Sequence, residues 1–504
     1  MIALADEAAT ARLAEAVGAS ARAGDVILLA GDLGAGKTAF ARALVRSVAE
    51  DAALEVPSPT FTLVQTYDAG RLRIAHVDLY RIADPAEIDE LGLEEFSRDG
   101  LVLVEWPERA GGLFDLDRLE IHLSVDPDAP EARTARLIGT GSWAGRLDRL
   151  VQVRDALRRL GFGDWHRRFL LGDASTRRYE CLSSDGKAAI LMDSPAMPDP
   201  GTGTVVYSRV AHLAETVTPF VAMARGLRHY GFSAPEIYAA DLDAGVLVTE
   251  DLGRQGVLDA DGKPIMSRYC AAIDVLAALH GIDLPDEIEA SPGVVHHLPR
   301  YDHEAFLIEI ALLVEWLVPL VTGAPLPGEA VDAFRALWDD LLFEIADPAR
   351  GHTWVLRDYH SPNLLWLPRR EGIARVGIID MQDAVLGPAA YDVASLVFDA
   401  RVDIDDRMWR ELYARYVAER QIADPDFDAE GFACEFAILA AQRSTKILGI
   451  FARLALRDGK PGYLRHIPRV SGYLDHALSH PVLAGLKLWY DTHLPAERRK
   501  RVAV

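Results

Sequence analysis

Two short stretches of this chain hold residue types that handle phosphate. Residues 31–38, Gly-Asp-Leu-Gly-Ala-Gly-Lys-Thr, fit the pattern G-x-x-x-x-G-K-[ST], follow an apolar run and open a helical one. Gly31, Gly34 and Gly36 let backbone N–H groups curl round an anion, and the start of the next helix adds partial positive charge. Lys37 is placed to neutralise the β- and γ-phosphates of ATP, and Thr38 to offer a hydroxyl to Mg²⁺. Far downstream, Asp358 precedes Asn363 by five residues, and the apolar run 376–379 ends in Asp380, 17 residues after Asn363. In that order the first Asp accepts a hydroxyl proton, while the Asn and the second Asp hold Mg²⁺ against ATP phosphates. Both stretches need the same cofactors, ATP and Mg²⁺.

Separate elements must position them. At 504 residues the chain has room for about three structural units. The first 148 residues alternate helical and strand patterns, with strands expected at 26–30, 73–80 and 101–106, which implies a parallel α/β sheet. A small, polar, turn-rich stretch at 139–149 suggests a boundary after residue 148. Residues 149–254 then read as a small β-rich lobe, with a hairpin whose turn is Ser-Ser-Asp-Gly and a strand ending at 246–253. Residues 255–504 read as mainly helical. No internal repeat or low-complexity tract interrupts them.

Composition narrows the function classes. Half the residues are hydrophobic and 26% are charged, as in a folded rather than a disordered chain. A formal net charge of −23 disfavours direct attraction to nucleic acid or to an anionic membrane, so any RNA is expected to be reached through a partner. Cys181, Cys270 and Cys434 are odd in number and lack metal-ligand spacing, which predicts buried thiols in a reducing, cytoplasmic compartment. The start of the chain has no basic segment followed by an apolar run. The apolar segment 306–321 is interrupted by Glu309 and Glu315 and is expected to be a core helix rather than a membrane span.

Three further stretches narrow the first site: residues 56–68 with Ser-Pro-Thr-Phe, 76–82 with His-Val-Asp-Leu-Tyr-Arg, and 103–109 with Glu-Trp-Pro. With the phosphate loop, in this order, residues 1–145 resemble the TsaE family, the ATPase subunit of the bacterial complex that makes threonylcarbamoyladenosine in tRNA. The resemblance implies that Thr60 sits in a switch-like loop near the γ-phosphate, and that Asp78 and Glu105 hold Mg²⁺ or position the attacking water. It also implies partners, the other subunits of that complex, with tRNA met only indirectly. The carboxyl ends of parallel strands are where the fold alone would place a ligand. Trp106 is open between packing and nucleotide stacking, and His76 is expected to be structural.

The second site resembles the aminoglycoside phosphotransferase superfamily, whose loop has the form H-x-D-x-H-x-x-N. His360 matches the second histidine, but Leu356 stands at the first. The stretches 172–180, 190–195, 249–253, 357–363, 378–396 and 442–454 are most similar to the AmgK-type anomeric N-acetylmuramate and N-acetylglucosamine kinases. The implied fold is thus an α/β P-loop NTPase domain followed by a bilobal α+β protein-kinase-like domain, and the implied acceptor is a small amino sugar. Thr249 and Glu250 would form the hinge that reads adenine. The strand lysine of kinases is missing, since Met192 occupies its place and Lys187 lies in the turn before it. Arg177 or Arg178 is the expected substitute, against two surface arginines. Arg443 and Lys446 either face an acidic sugar or, as expected, are solvated helix cations. Rival readings are a nucleotide-dependent assembly module for the first half, and for the second a pseudokinase or a kinase for aminoglycosides, choline or homoserine.

Overall fold

The computed structural model describes all residues except 83, 112–116, 171–176, 198–205, 348–349 and 502–504. Two compact units divide the chain: Met1–Ala196 with Tyr238–Asp251, and Met197–Ile237 with Leu252–Val504.

In the first unit, short apolar runs form strands and the Ala/Leu-periodic segments form the helices that cover them. The elements are β1 (Ile2–Leu4), α1 (Glu7–Ser20), β2 (Val26–Ala30), α2 (Lys37–Ala49), β3 (Val64–Ala69), β4 (Leu72–Asp78), α3 (Leu93–Phe96), β5 (Gly100–Glu105), β6 (Leu119–Asp126) and β7 (Ala129–Gly139). Asp6 starts α1 by accepting the N–H of Ala9 at 2.7 Å. The sheet order is β1-β7-β6-β2-β5-β4-β3. Strands β6, β2, β5 and β4 run parallel, whereas β1, β7 and β3 pair antiparallel. The sheet is therefore mixed, not wholly parallel as expected: β6–β7 and β3–β4 are tightly joined pairs, and such joins reverse direction. Ile27 and Leu29 face a core with Leu13, Val17, Phe40 and Leu44 of α1 and α2, while Leu28 faces one with Val77, Val102 and Val104. Burial on both faces explains why the central strands read as unbroken apolar runs.

The expected boundary after residue 148 falls inside α4 (Trp143–Arg159). The turn signal is real, since Gly141 has φ +58°. The helix that follows serves two cores, however. Trp143 and Leu150 pack in the first, and Val153, Ala156 and Leu157 pack against Leu182, Ala189, Leu191, Val246 and Val248 of a second sheet. That sheet has the order β11 (Ile237–Asp241), β12 (Val246–Thr249), β10 (Lys187–Asp193), β9 (Arg178–Ser184), β8 (His166–Leu170). The β9–β10 hairpin turns at Asp185 and Gly186, both at positive φ, as the sequence Asp-Gly favours.

The second unit is mainly helical. It includes helix Thr218–His229, so residues 149–254 do not form one compact lobe as expected. The reason is the inner face of that helix: a Cβ on Gly226 would lie 2.7 Å from the Trp354 ring, a fit that needs glycine. Strands Thr353–Val355 and Leu364–Trp366 flank the loop 356–363, and Leu364–Trp366 pairs with Val376–Ile378, which leads into Asp380. Helix Ala429–Leu456, 28 residues long, forms the spine. Among the described residues, His303–Thr322 is one helix long and apolar enough to cross a membrane by composition. Its Glu309 is fully buried and ion-paired, to Arg357 and to Lys446, within this unit's own core.

Candidate functional site

The first cluster forms where β2 turns into α2. Gly31, Gly34 and Gly36 have φ of +137°, +79° and +104°, conformations that side chains with a Cβ rarely adopt. At Gly31 a Cβ would also lie 2.2 Å from the Leu123 carbonyl oxygen. Lys37 is buried, donates to the Gly31 and Asp32 carbonyls at 2.6 and 2.9 Å, and lies 3.5 Å from the Trp106 ring centroid. Burial lowers its pKa, opposed by Glu105, Glu108, Asp78 and Asp32. Trp106 thus stacks on the loop lysine, a use the sequence reading did not consider.

Strand register brings the carboxylates together. Asp78 and Glu105 end β4 and β5 as direct partners, both buried. Thr38 Oγ1 donates to Glu105 Oε2 at 2.9 Å, and His76 Nε2 lies 2.9 Å from Glu105 Oε1, which fixes that carboxylate from two sides. Thr60 Oγ1 and Ser58 Oγ donate to Asp78 Oδ2 at 3.0 and 2.8 Å. The structure therefore unites Lys37, Thr38, Thr60, Asp78 and Glu105. Arg133 of β7 joins them, donating from Nε to the Ala35 carbonyl at 3.2 Å. No local spacing marks Arg133, because it arrives through sheet pairing.

In the second sheet, Met192, Thr249 and Tyr179 share one face, since Ile190 pairs with Thr249 and Met192 with Tyr179. Arg178 pairs with Asp193 and so projects from the opposite face, the one covered by α4. It donates to the Ser20 carbonyl at 3.5 Å. Alternation along β9 thus removes Arg178 as the substitute for the missing lysine. Arg177 precedes the strand, and the turn before it, 171–176, lies outside the described residues. Glu250 follows Thr249 at the end of β12.

The last cluster is built on loop 356–363. Fully buried Asp392 accepts the N–H groups of Leu356 and Arg357 at 2.6 and 2.9 Å and so holds Arg357 at φ +65°. Asp399 accepts the Ser361 N–H and hydroxyl at 2.8 and 2.5 Å. Between these anchors Asp358 is partly exposed. Burial pushes its pKa up, but His360, Lys446, Arg443 and Arg357 outweigh it and hold the carboxyl below its usual range. Asn363 Nδ2 donates to the Asp358 carbonyl at 3.0 Å and lies 3.5 Å from Asp380 Oδ2. Gln382 Nε2 donates to Asp380 Oδ1 at 2.9 Å. Burial lowers the pKa of His360, and its Nε2 accepts from Arg401 at 2.7 Å.

Arg443 and Lys446 are not solvated. Lys446 reaches Glu309 Oε1 at 2.6 Å, and Glu309 also binds Arg357 and, at 2.5 and 3.0 Å, Tyr301 and Gln442. Arg443 is buried as well, and among the described residues no hydrogen bond or ion pair holds its guanidinium. Helical periodicity places both on one face but cannot show that the opposing surface is a buried carboxylate. Among the described residues no group of three or more His, Cys, Asp or Glu gathers as a metal site. An oxygen pair such as Asn363 and Asp380, or Thr38 with Glu105, instead suits Mg²⁺, which is held by one or two protein oxygens and by phosphates.

The family model described as threonylcarbamoyl adenosine biosynthesis protein TsaE matches residues 4–135, and that of the phosphotransferase enzyme family matches residues 166–430. An N-acetylmuramate/N-acetylglucosamine kinase of Caulobacter vibrioides is 38% identical over 68% of this chain and 95% of its own length. A kinase of the same name from Pseudomonas aeruginosa is 32% identical over 62% of this chain and 84% of its length. A tRNA threonylcarbamoyladenosine biosynthesis protein TsaE of Rickettsia felis is 41% identical over 25% of this chain and 72% of its length. The first two are sugar kinases by name, not kinases for aminoglycosides, choline or homoserine.

Proposed function

The chain belongs to the phosphotransferase enzyme family and, at its N-terminus, to the TsaE family, and from that premise we propose that it is a bifunctional enzyme with two independent phosphoryl-transfer sites. The N-terminal site hydrolyses ATP in support of threonylcarbamoyladenosine formation on tRNA, acting through partner subunits. The second transfers the γ-phosphoryl of ATP to the anomeric hydroxyl of N-acetylmuramate or N-acetylglucosamine, as in cell-wall recycling.

The observation that carries the second assignment is Asp358, a partly exposed carboxylate kept ionised by the cations around it, beside Asn363 and Asp380. In the reaction Asp358 takes the proton of the acceptor hydroxyl; that oxygen bonds the γ-phosphorus as the bond to the β–γ bridging oxygen breaks, and ADP leaves. Asn363 and Asp380 would hold Mg²⁺, which neutralises phosphate charge. Arg443, buried and without an ion-pair partner among the described residues, is the residue suited to the carboxylate of N-acetylmuramate. Thr249 and Glu250 present the strand-end backbone for adenine. In the first site Lys37 and the glycine loop hold the phosphates, Thr38, Glu105 and Asp78 would hold Mg²⁺ or orient water, and Thr60 couples the loop to Asp78.

Phosphorus NMR of the product formed from N-acetylmuramate or N-acetylglucosamine tests the kinase assignment. An acid-labile sugar 1-phosphate is expected; a 6-phosphate, or no turnover on either sugar, overturns it. For the first half, ATP hydrolysis measured with and without the partner subunits separates an ATPase from an assembly module.

A further inference from the structure

The phosphate loop has two flanks of unlike chemistry. It follows β2, and in the sheet order β1-β7-β6-β2-β5-β4-β3 the carboxylates Glu105 and Asp78 end β5 and β4 on one side, while β6 and β7 lie on the other. Arg133 is the side chain that β7 sends to that second flank. It pairs with Leu4 of β1 and stands two residues from Ala135, and both of these belong to the core that α1 and α2 cover. Arg133 therefore points to the face of the sheet on which α2 lies.

There its guanidinium is fixed by the loop itself. Nε donates to the Ala35 carbonyl at 3.2 Å and Nη2 to that of Gly34 at 3.5 Å, while Nη1 donates to the carbonyls of Pro130 and Ala132 at 2.5 and 2.9 Å. A Cβ on Gly36 would lie 3.9 Å from Nε, which sets the group beside the last glycine before Lys37. All three nitrogens are thus turned edge-on to backbone carbonyls. Carbonyls are neutral, so the cation keeps its charge, and what it offers a ligand is the face of its plane rather than a fork of N–H groups.

The position of the carboxylates gives a bound nucleotide its direction. A triphosphate whose γ end lies with Thr38, Glu105 and Asp78 runs its ribose and base away from them, towards β6 and β7. Across β2 from both carboxylates, Arg133 stands at the nucleoside end rather than at the γ-phosphate. We propose that Arg133 is the base-binding residue of the first site, its guanidinium plane stacking on the purine of the bound nucleotide. This rests on the nucleotide-binding reading of that site. A planar cation on an aromatic face is attracted by the ring and stacks on it, with little regard to which purine is present, because every base has a π-face.

Calorimetric titration of the full chain tests this. Because the second site also takes nucleotide, the binding event lost in Lys37→Ala identifies the first. Arg133→Ala should weaken that event about tenfold for ADP and for GDP alike, while affinity for inorganic tripolyphosphate, which has no base, stays within about twofold. Arg133→Lys keeps the charge and can donate to the loop carbonyls but has no plane, so it should leave ADP as weak as in Arg133→Ala. A parallel loss of tripolyphosphate, or recovery of ADP binding in Arg133→Lys, would make Arg133 only a brace of the loop and overturn the proposal. Unchanged affinity for ADP in Arg133→Ala would overturn it as well. Loss of no event in Lys37→Ala would instead overturn the nucleotide-binding reading itself, and with it any base contact there.

Discussion

On the reaction proposed above, Asp358 takes the acceptor's proton and Arg443 answers its charge. Asp358→Asn keeps the size and the hydrogen bonding but removes the proton acceptor, so kcat should fall by about 10² or more, the usual scale for a general base. Asp380→Asn should instead weaken Mg-ATP as well as turnover, because a hard cation prefers an anionic oxygen. Titrating Mg²⁺ in steady-state assays of the two variants separates these effects. Arg443→Met should raise KM for N-acetylmuramate while leaving that for the uncharged N-acetylglucosamine within about twofold, since only the first places a carboxylate near the guanidinium. An equal loss on both sugars would assign Arg443 to holding Asp358 rather than to the acceptor. Lys446 offers no such split, because Glu309 already neutralises it.

At the scale of elements, the loops that bear these residues are held by anchors with no signature of their own. Gly31 to Thr38, and Asp358, Asn363 and Asp380, are legible in the sequence because their chemistry needs fixed short spacings. Asp392 is not legible: it lies 34 positions beyond Asp358, and only the fold makes it the acceptor for two N–H groups of that residue's loop. Arg133 and Glu309 are hidden for the same reason, one arriving by strand pairing and the other inside a helix that reads as merely apolar. Arg178 shows a subtler failure. Its nearness to the nucleotide turn is visible, but the side of the sheet it takes depends on register with Asp193. The turn before residue 148 is legible, but the sequence does not show that the helix after it, α4, packs into both neighbouring cores. Asp392→Ala strands two buried N–H groups and should cost about 3 kcal/mol or more. Urea titration followed by kinase activity should show an earlier midpoint, with ATP hydrolysis by the N-terminal site lost at its original concentration.

For the molecule as a whole, separate machinery predicts separable activities. Lys37→Ala should abolish N-terminal ATP hydrolysis and leave sugar phosphorylation within about twofold, because distant sites are usually near-additive; loss of both in a folded variant would show coupling. The two parts should also differ in acid. Six histidines of the second unit, His280, His296, His352, His360, His466 and His476, have pKa values lowered by burial, that of His466 to about 4. Each is neutral when folded and gains a proton more readily when unfolded, so below the unfolded value of about 6.5 the unfolded state binds more protons. Their contribution is complete above that pH and is lost as pH falls from about 6.5 towards 4, the window set by His466. Asp358, Asp399 and Glu309 are also lowered, but as carboxylates they lose their share only below about 4.5. Thermal unfolding followed from pH 7.5 to 4.5 should therefore show the kinase transition dropping already near pH 6. Asp358 stays ionised across that range, so kinase turnover assayed well below the melting point should not fall through its protonation. A kinase transition flat down to pH 5 would mean that these rings are as free to protonate in the fold as in water.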